Sequence, residues 1–231
     1  YLDTARKKEL FPIETHNLES LKMILSTGSA LSVDCFDYVY QKIKPEVCLS
    51  SISGGTDIVS CFVLGSPMLP VYRGELQTRG LGLSVEVWND KGESVIDQKG
   101  ELVCTKTFPS KPTGFWNDYD GEKYRQSYFD RYPNVWCHGD FVSLNLIGGM
   151  VFYGRSDTTL NRGGVRIGTA EIYRQVEKLT EVLESIVVEQ NWQDDIRVVL
   201  FVKLKDGMQL VDDLKRRIVT QIRSNTSPRH V

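Results

Sequence analysis

The sequence has 231 residues, enough for one large domain or two smaller ones at roughly 150 residues per domain. Its 41% hydrophobic and 25% charged residues are ordinary for a globular protein, and its net charge of −2 gives no broad attraction to nucleic acid or to an anionic membrane. No apolar run approaches the roughly 20 residues of a membrane helix. We therefore expect a soluble protein that binds small molecules, without a nucleic-acid or membrane partner.

The number and spacing of the cysteines limit which metal sites and thiol chemistry can be expected. Five cysteines, odd in number, widely spaced and without a CxxC pair, accompany only three histidines. This usage predicts reduced thiols in a cytosolic compartment and disfavours a zinc site. Cys137 and His138 look like a nucleophile pair, but adjacent residues on a strand point to opposite faces. A thiol enzyme is therefore disfavoured.

The two ends of the sequence indicate a piece of a longer protein. Tyr1 is not an initiator methionine, and no signal-like segment follows it. Val231 comes directly after a Ser-Pro-Arg-His segment that resembles a connection to further structure. We expect the complete protein to extend beyond both ends.

Residues 1–72 have an α/β pattern. The apolar run 23–25 predicts a buried strand, which a small-residue loop, 26–29, follows. Apolar residues then recur at helical spacing up to Pro45, and Asp34 is placed to start this helix. The apolar stripe consists of Phe36, Val39, Tyr40 and Ile43. A strand–loop–helix unit of α/β type is therefore predicted.

Between residues 73 and 156 the pattern changes to strands and turns. Residues 83–88 alternate apolar with polar side chains, and 89–92 carry turn residues. Segments 100–104 and 151–153 are also strand-like. A β-rich subdomain is expected here.

The last part of the chain, 157–231, predicts a small α+β domain. A helix begun by Thr169, with Glu171 in its first turn, is indicated by a stripe of Ile172, Val176, Leu179 and Leu183. Segments 185–188 and 198–202 are interpreted as buried strands. A final helix is indicated by Leu210, Leu214, Ile218 and Ile222. The fold class is therefore α/β plus α+β, with a boundary at the start of this part.

The stretch 136–166 contains groups suited to a nucleotide. Asp140 can accept two hydrogen bonds, Arg155 and Arg166 can face an anion, and Gly163–Gly164 leaves backbone accessible. Together they suit a ribose and a phosphate. The same residues fit an alternative in which Asp140 caps a turn, Arg155 forms a surface ion pair and the glycines make an ordinary loop.

A second loop, 50–57, combines glycine, hydroxyl and carboxylate groups. The backbone at Gly54 and Gly55, the hydroxyl of Thr56 and the carboxylate of Asp57 suit a phosphate with a metal ion. A polar turn between strands is the alternative.

Taken in order, these motifs resemble the adenylate-forming superfamily, which includes acyl-CoA synthetases and luciferase-like enzymes. The matching segments are 26–31 (STGSAL), 56–57 (TD), 139–140 (GD), 154–157 (GRSD) and 164–172 (GVRIGTAEI). The resemblance is closest to the acetoacetate-activating branch, over segments 53–58, 62–77 and 155–173. It implies the end of a large AMP-binding N-terminal domain, 1–156, joined by a hinge to a truncated small C-terminal domain, 157–231.

The resemblance implies nucleotide contacts for individual residues. Gly28, Ser29 and Ala30 would contact the adenine of ATP or AMP, and Asp140 would hold both ribose hydroxyls. Further ATP or AMP contacts are implied for Gly55, Thr56, Arg155 and Arg166.

Catalytic and substrate roles follow from the same resemblance. The residues implied for catalysis are Thr56, Asp57, Arg166 and the hinge residue Asp157. Asp57 would contact Mg²⁺, and Gly163 and Gly164 would line the coenzyme A path. Gly54 stands where acetate-activating relatives carry tryptophan, so it would leave room for an acyl group larger than acetate.

The implied activity is ATP-dependent ligation of acetoacetate to coenzyme A through an acyl-adenylate, with ATP, Mg²⁺ and coenzyme A. The superfamily's phosphate loop and C-terminal catalytic lysine are not found in this sequence, and its Thr-Glu pair is Thr56-Asp57 here. We therefore expect the chain alone to be inactive. Two alternatives stay open: a CoA ligase for another short or medium-chain carboxylate, and a non-catalytic truncated product that binds nucleotide or a partner.

Overall fold

The computed structural model divides the chain into two compact units. It describes residues 1–158, 160–162, 165–192, 195–227 and 230, with the backbone alone for 161, 162, 165, 166, 191, 192, 195 and 196. The N-terminal unit comprises Leu2 and residues 9–152, and the C-terminal unit comprises Tyr1, residues 3–8 and residues 153–231. The functional boundary predicted at Asp157 stays a prediction. Among the described helices, none is long and apolar enough to cross a membrane.

An α/β segment begins the chain. Its elements are α1 (Leu2–Lys7), α2 (Pro12–Thr15), β1 (Met23–Ser26), α3 (Val33–Tyr38) and β2 (Cys48–Ser51). β1 and β2 pair in parallel, with Ser26 opposite Ser51. The predicted strand–loop–helix unit is therefore confirmed.

Two details of this segment differ from prediction. The helix begins at Val33 rather than Asp34, because the Ser32 hydroxyl accepts a hydrogen bond from the Cys35 amide at 3.3 Å and caps the first turn. The strand at 23–25 is not buried, since Leu25 is 64% exposed. Its sheet has only two strands in the described part of the chain, so one face of β1 lacks the cover that parallel sheets usually have.

Two antiparallel sheets complete the N-terminal unit. The first contains β3 (Ser53–Gly55), β4 (Ser60–Leu64) and β5 (Thr78–Arg79). The second has the order β6 (Val85–Trp88), β7 (Lys99–Cys104), β8 (Trp136–Leu144) and β9 (Met150–Arg155), and α4 (Glu122–Tyr128) lies between β7 and β8 in the chain. The predicted β-rich region is confirmed.

A hydrophobic core with an aromatic centre stabilises this unit. Val85 and Val87 are buried while Glu86 between them is not, as the two-residue period of a strand requires. Large side chains fill the interior, and Phe62, Phe108, Trp136 and Met150 are each at most 3% exposed. Burying such groups contributes roughly 1.5–3 kcal/mol each to folding.

The C-terminal unit has the predicted α+β composition. After the last residues of β9 and a 3₁₀ turn, Ser156–Thr158, it contains β10 (Leu160–Arg162), β11 (Val165–Ile167), α5 (Thr169–Val176), β12 (Val182–Trp192), β13 (Asp195–Leu204) and α6 (Asp212–Asn225). β10 pairs with β11 and β12 with β13, both antiparallel. The apolar face of α6, formed by Leu214, Ile218 and Ile222, packs in one core with α5 and β12.

Three predictions about this unit are wrong in detail. The first helix ends at Val176, because two successive turns, with Leu179 N–H donating to Val176 and Val182 N–H to Leu179, replace further helix. Leu183 lies in β12 and Leu210 precedes α6. The strands are not fully buried, since Ile186 and Phe201 are each 56% exposed. A two-stranded sheet covered on one face leaves every second side chain outside.

Candidate nucleotide and metal site

The loops implicated in nucleotide binding leave the same edge of the parallel pair. The Gly28–Ala30 loop follows β1, and the segment 53–57 follows β2. The Ile52 N–H donates to the Ser26 carbonyl at 2.9 Å, so the two chains are still side by side where the strands end. The carboxyl ends of strands are where α/β sheets bind ligands. Gly28 has a φ of +91°, which allows the loop to turn sharply there.

A tight turn presents Thr56 and Asp57 to solvent. The turn joins β3 to β4, and its Val59 has a left-handed φ of +48°. Ile58 is fully buried, whereas Thr56 and Asp57 on its N-terminal side are exposed. The buried isoleucine therefore anchors the turn and leaves the hydroxyl and the carboxylate outward.

Asp57 is oriented by a contact on one carboxylate oxygen. The Tyr128 hydroxyl donates to Asp57 Oδ2 at 2.5 Å. A Cβ placed on Gly55 would lie 1.9 Å from Asp57 Oδ1 and 3.2 Å from the His138 ring. In this orientation the carboxylate folds back over the Gly55 backbone, so a side chain at position 55 would require Asp57 to move.

Gly54 does not border open space in this structure. A Cβ there would lie 2.2 Å from the Ser60 carbonyl oxygen and 2.7 Å from the Cys61 Cα, both in backbone of the neighbouring strand. The expectation that a missing side chain at Gly54 leaves room for an acyl group is therefore wrong for this geometry. The glycine is required by the close approach of β3 to β4. A substrate contact by Gly54 stays a prediction.

A bulge in β8 projects Asp140 towards this segment. Glu101 pairs with Phe141 and Val103 with Cys137, so three residues of β8 face one residue of β7. Gly139, inside the bulge, has a φ of +80°, which glycine adopts readily. Bulges of this kind redirect side chains. The Gly-Asp sequence is thus explained by the structure, because Gly139 allows the strand to bend and the bend directs the Asp140 side chain.

The Asp140 carboxylate is buried and hydrogen-bonded. Its side chain is 6% exposed, and its Oδ2 accepts a hydrogen bond from the Ser53 hydroxyl. His138 Nε2 lies 4.0 Å from the same oxygen, and the His138 ring packs edge-on against Phe62. Asp140 is therefore hydrogen-bonded to Ser53, the first residue of the short segment 53–57 that ends in Asp57.

Cys137 and His138 have separate environments, as predicted for adjacent strand residues. Cys137 Sγ lies 3.9 Å from Glu101 Oε2 on the other side of the strand. Glu101 is fully buried and forms an ion pair with Arg131. Burial lowers the pKa of Arg131, but Glu101 and the neighbouring Tyr132, Cys137 and Asp90 together outweigh this effect and leave the pKa above its ordinary value. This ion pair is a structural feature of β7 and lies apart from Asp140.

The predicted residues of the C-terminal unit have a more exposed setting. Arg155 Nε lies 3.3 Å from Asp157 Oδ1, and the two side chains are 47% and 68% exposed. This surface pair matches the structural alternative for Arg155. Arg166 lies in β11, but its side chain is outside the described residues, as are Gly163 and Gly164.

Three residues around the site were missed by sequence reasoning. Ser53 begins the recognised segment, so its hydroxyl could have been included as a candidate. Tyr128 is 71 residues from Asp57, whose carboxylate it contacts. His138 is two residues from Asp140, whose carboxylate it approaches. No local sequence pattern predicts the contact between Tyr128 and Asp57.

Comparisons with known proteins give the relationship. No family model matches the chain. It is 61% identical over its whole length to the acetoacetyl-coenzyme A synthetase of Rhizobium meliloti and 51% identical to that of Gallus gallus, covering 36% and 35% of those proteins. The chain thus spans about a third of the length of these relatives.

Solved structures agree with these sequences. The acetoacetyl-CoA synthetase from Streptomyces lividans superimposes with a TM-score of 0.90 at 42% identity, over the whole chain and 35% of that protein. The anthranilate CoA ligase AuaEII superimposes with a TM-score of 0.79 at 21% identity, over 99% of this chain and 42% of that one, which shows a shared fold. The predicted fold class is confirmed. Over a segment of about a third of their length, the chain is thus similar in sequence and in fold to acetoacetyl-CoA synthetases.

Proposed function

We propose that the protein containing this chain ligates acetoacetate to coenzyme A through an acyl-adenylate. The observation that carries the proposal is that the segment 53–57, which follows β2 at the edge where the two parallel strands end, holds the Asp140 carboxylate through Ser53 and ends in the exposed carboxylate of Asp57. The names of the similar proteins supply the substrate. We further propose a cytosolic location, in keeping with five free cysteines.

The reaction has two displacement steps. A carboxylate oxygen of acetoacetate attacks the α-phosphorus of ATP, and pyrophosphate leaves. The sulfur of coenzyme A then attacks the acyl carbon, its proton is lost, and AMP leaves. We assign Asp140 to the ribose, because a carboxylate can accept hydrogen bonds from two hydroxyls while retaining the bond from Ser53. Gly28, Ser29 and Ala30 are assigned to the adenine, since their loop leaves the same strand edge.

The residues present fit a magnesium ion bound mainly by phosphate and water. The described residues contain no group of three or more His, Cys, Asp or Glu side chains placed to hold a metal. Mg²⁺ in nucleotide enzymes commonly uses only one or two carboxylates beside the substrate phosphates. Asp57, exposed on its turn, would supply that carboxylate, with Gly55 and Thr56 beside the phosphates. The ion would neutralise negative charge on the phosphates.

The C-terminal unit would contribute to both half-reactions. Asp157 lies in a 3₁₀ turn between β9 and β10, and element-terminal positions of this kind can absorb a hinge rotation. We assign the hinge to Asp157 on this basis. Arg155 and Arg166 are assigned to the anionic nucleotide, and Gly163 and Gly164 to the coenzyme A path.

The test uses the full-length protein. Exchange of labelled pyrophosphate into ATP should depend on acetoacetate and should be much weaker with acetate. Exchange that depends on a different carboxylate would replace the substrate assignment. ATP binding without exchange for any short or medium-chain acid would favour a non-catalytic protein.

A further inference from the structure

Tyr128, on the helix α4, is the nearest described donor to the exposed carboxylate of the proposed site. Its hydroxyl lies 2.5 Å from Asp57 Oδ2, across 71 residues of sequence. A hydroxyl donor on one carboxylate oxygen leaves the remaining lone pairs available to a cation. The contact therefore fixes the orientation of the Asp57 carboxylate.

The tyrosine ring is itself fixed. It stacks on Trp136 with a centroid distance of 3.7 Å and an interplanar angle of 14°, and it packs edge-on against Phe115 and Tyr124. Trp136 is 2% exposed and belongs to β8, the strand that also carries Asp140. A donor on such a rigid support orients its acceptor at little cost in side-chain entropy.

The opposite oxygen of Asp57 is restricted as well. Asp57 Oδ1 occupies the space into which a Cβ on Gly55 would project. The Asp57 carboxylate thus lies between the Gly55 backbone, which has no side chain, and the hydroxyl of the stacked Tyr128 ring. Aspartate is one methylene shorter than the glutamate of the superfamily motif, so the position of its carboxylate depends more closely on these neighbouring groups.

We infer that Tyr128 is a positioning residue that orients Asp57 towards the divalent cation accompanying a nucleoside triphosphate. The inference rests on the proposed function for its ligand. Tyr128 does not touch the reacting atoms. It acts through Asp57, as outer contacts of metal-binding carboxylates do.

The central experiment replaces the hydroxyl alone. In full-length protein, Tyr128→Phe should weaken binding of Mn²⁺ in the presence of a non-hydrolysable ATP analogue by about tenfold, measured by electron paramagnetic resonance. Metal-free AMP binding should stay within about twofold, because Asp140 and the adenine loop are unchanged. The Mg²⁺ concentration for half-maximal pyrophosphate exchange should rise by the same factor as the Mn²⁺ dissociation constant.

Tyr124→Phe is the matched control. Tyr124 lies on the same helix and in the same aromatic cluster, but its hydroxyl donates to the Pro112 carbonyl at 2.5 Å. This variant should leave Mn²⁺ affinity within about twofold of the unmodified protein. An equal loss in both variants would mean that helix packing is responsible, and would overturn the inference.

A double variant provides the second test. In an Asp57→Ala background, Tyr128→Phe should cause no further loss of Mn²⁺ affinity, because the acceptor through which it acts is gone. A full additional loss would overturn the inference. Mn²⁺ binding is measured without turnover, so its result does not depend on which acid the enzyme activates. Absence of acetoacetate-dependent pyrophosphate exchange would refute the proposed function, and the Mn²⁺ measurements would still decide the role of Tyr128.

Discussion

Two buried carboxylates of the N-terminal unit contrast with two surface ion pairs of the C-terminal unit. In the N-terminal unit the side chains of Glu101 and Asp140 are at most 6% exposed, and each is paired with a group from another part of the chain. In the C-terminal unit the pairs Arg155–Asp157 and Lys203–Glu184 lie at the surface with side chains 47–72% exposed. Buried charges hold a fixed position, whereas exposed pairs exchange with water at little cost. The comparison teaches that burial decides which of these carboxylates is held in place.

Breaking a buried pair is the strongest test of this comparison. Arg131→Met should lower the free energy of unfolding of the N-terminal unit by about 3 kcal/mol, because it leaves the fully buried Glu101 carboxylate uncompensated. Urea unfolding followed by tryptophan fluorescence measures the change, since Trp88 and Trp136 belong to this unit.

The surface pair Arg217–Glu181 supplies the matched control in the other unit. Arg217→Met should cost much less than Arg131→Met, because Arg217 is 48% exposed and water replaces its partner. Equal losses in the two variants would show that the difference in burial has no energetic consequence.

The nucleotide site should respond to its buried carboxylate. Asp140→Ala in the full-length protein should weaken AMP binding by roughly 2–3 kcal/mol, on the order of a hundredfold, through loss of charge-assisted hydrogen bonds. Isothermal titration with AMP measures the effect. Ser53→Ala, which removes the donor to Asp140 but keeps the carboxylate, should have a smaller effect. Unchanged AMP affinity in Asp140→Ala would remove the ribose assignment.

Backbone restriction at the predicted hinge should separate the two half-reactions. Asp157→Pro fixes φ within the 3₁₀ turn, so thioester formation should fall by about tenfold or more while pyrophosphate exchange stays within about twofold. Single-turnover measurements give both rates.

Asp157→Ala distinguishes backbone from side chain, because it removes the pair with Arg155 but leaves φ unrestricted. Both of its rates should stay near those of the unmodified protein. An equal fall of the two half-reactions in Asp157→Pro would contradict the hinge assignment.

The smallest expected effect concerns a charge that the C-terminal unit does bury. Burial raises the pKa of Glu177, against the opposing influence of Lys7 and Ser185. A carboxyl group with a raised folded-state pKa stabilises the fold below its unfolded pKa, and this contribution is lost as pH rises through the folded value. Relative to Glu177→Gln, the unmodified protein should therefore lose stability between pH 4 and pH 7, by less than about 1.4 kcal/mol per unit of pKa shift.

Thermal unfolding at the two pH values measures this difference. Glu184→Gln, which alters an exposed pair with Lys203, should show a smaller pH dependence. A stability difference that rises with pH for Glu177→Gln would mean that ion pairing with Lys7 dominates burial.

Local patterns predicted most elements of the fold. The two-residue alternation of 83–88 and the stripe of Leu214, Ile218 and Ile222 are set by which face is buried, so a strand and a helix could be assigned from sequence. The end of α5 at Val176 could not, because Leu179 continues the helical spacing while its amide closes a turn. Burial of β1 was overestimated since the number of neighbouring strands is not a local property.

The candidate site was predictable in its motifs and not in its contacts. Asp57 and Asp140 were identified from the residues beside them in the sequence. Their hydroxyl donors, Tyr128 and Ser53, lie 71 and 87 residues away along the chain, so only tertiary structure brings them together. At Gly54 the sequence suggested that the missing side chain leaves room for a larger acyl group. In the structure that space is occupied by the backbone of the neighbouring strand.

The hairpin of β12 and β13 has a consequence for handling the chain by itself. In the part of the chain that the structure describes, its ladder has only two strands, and Ile186 and Phe201 face outward side by side. Unpaired strand edges beside apolar side chains are templates for intermolecular β-sheet growth. Expressed without the rest of its protein, this segment carries an aggregation hazard in the C-terminal unit, and a charged residue at Ile186 is the substitution that would block it.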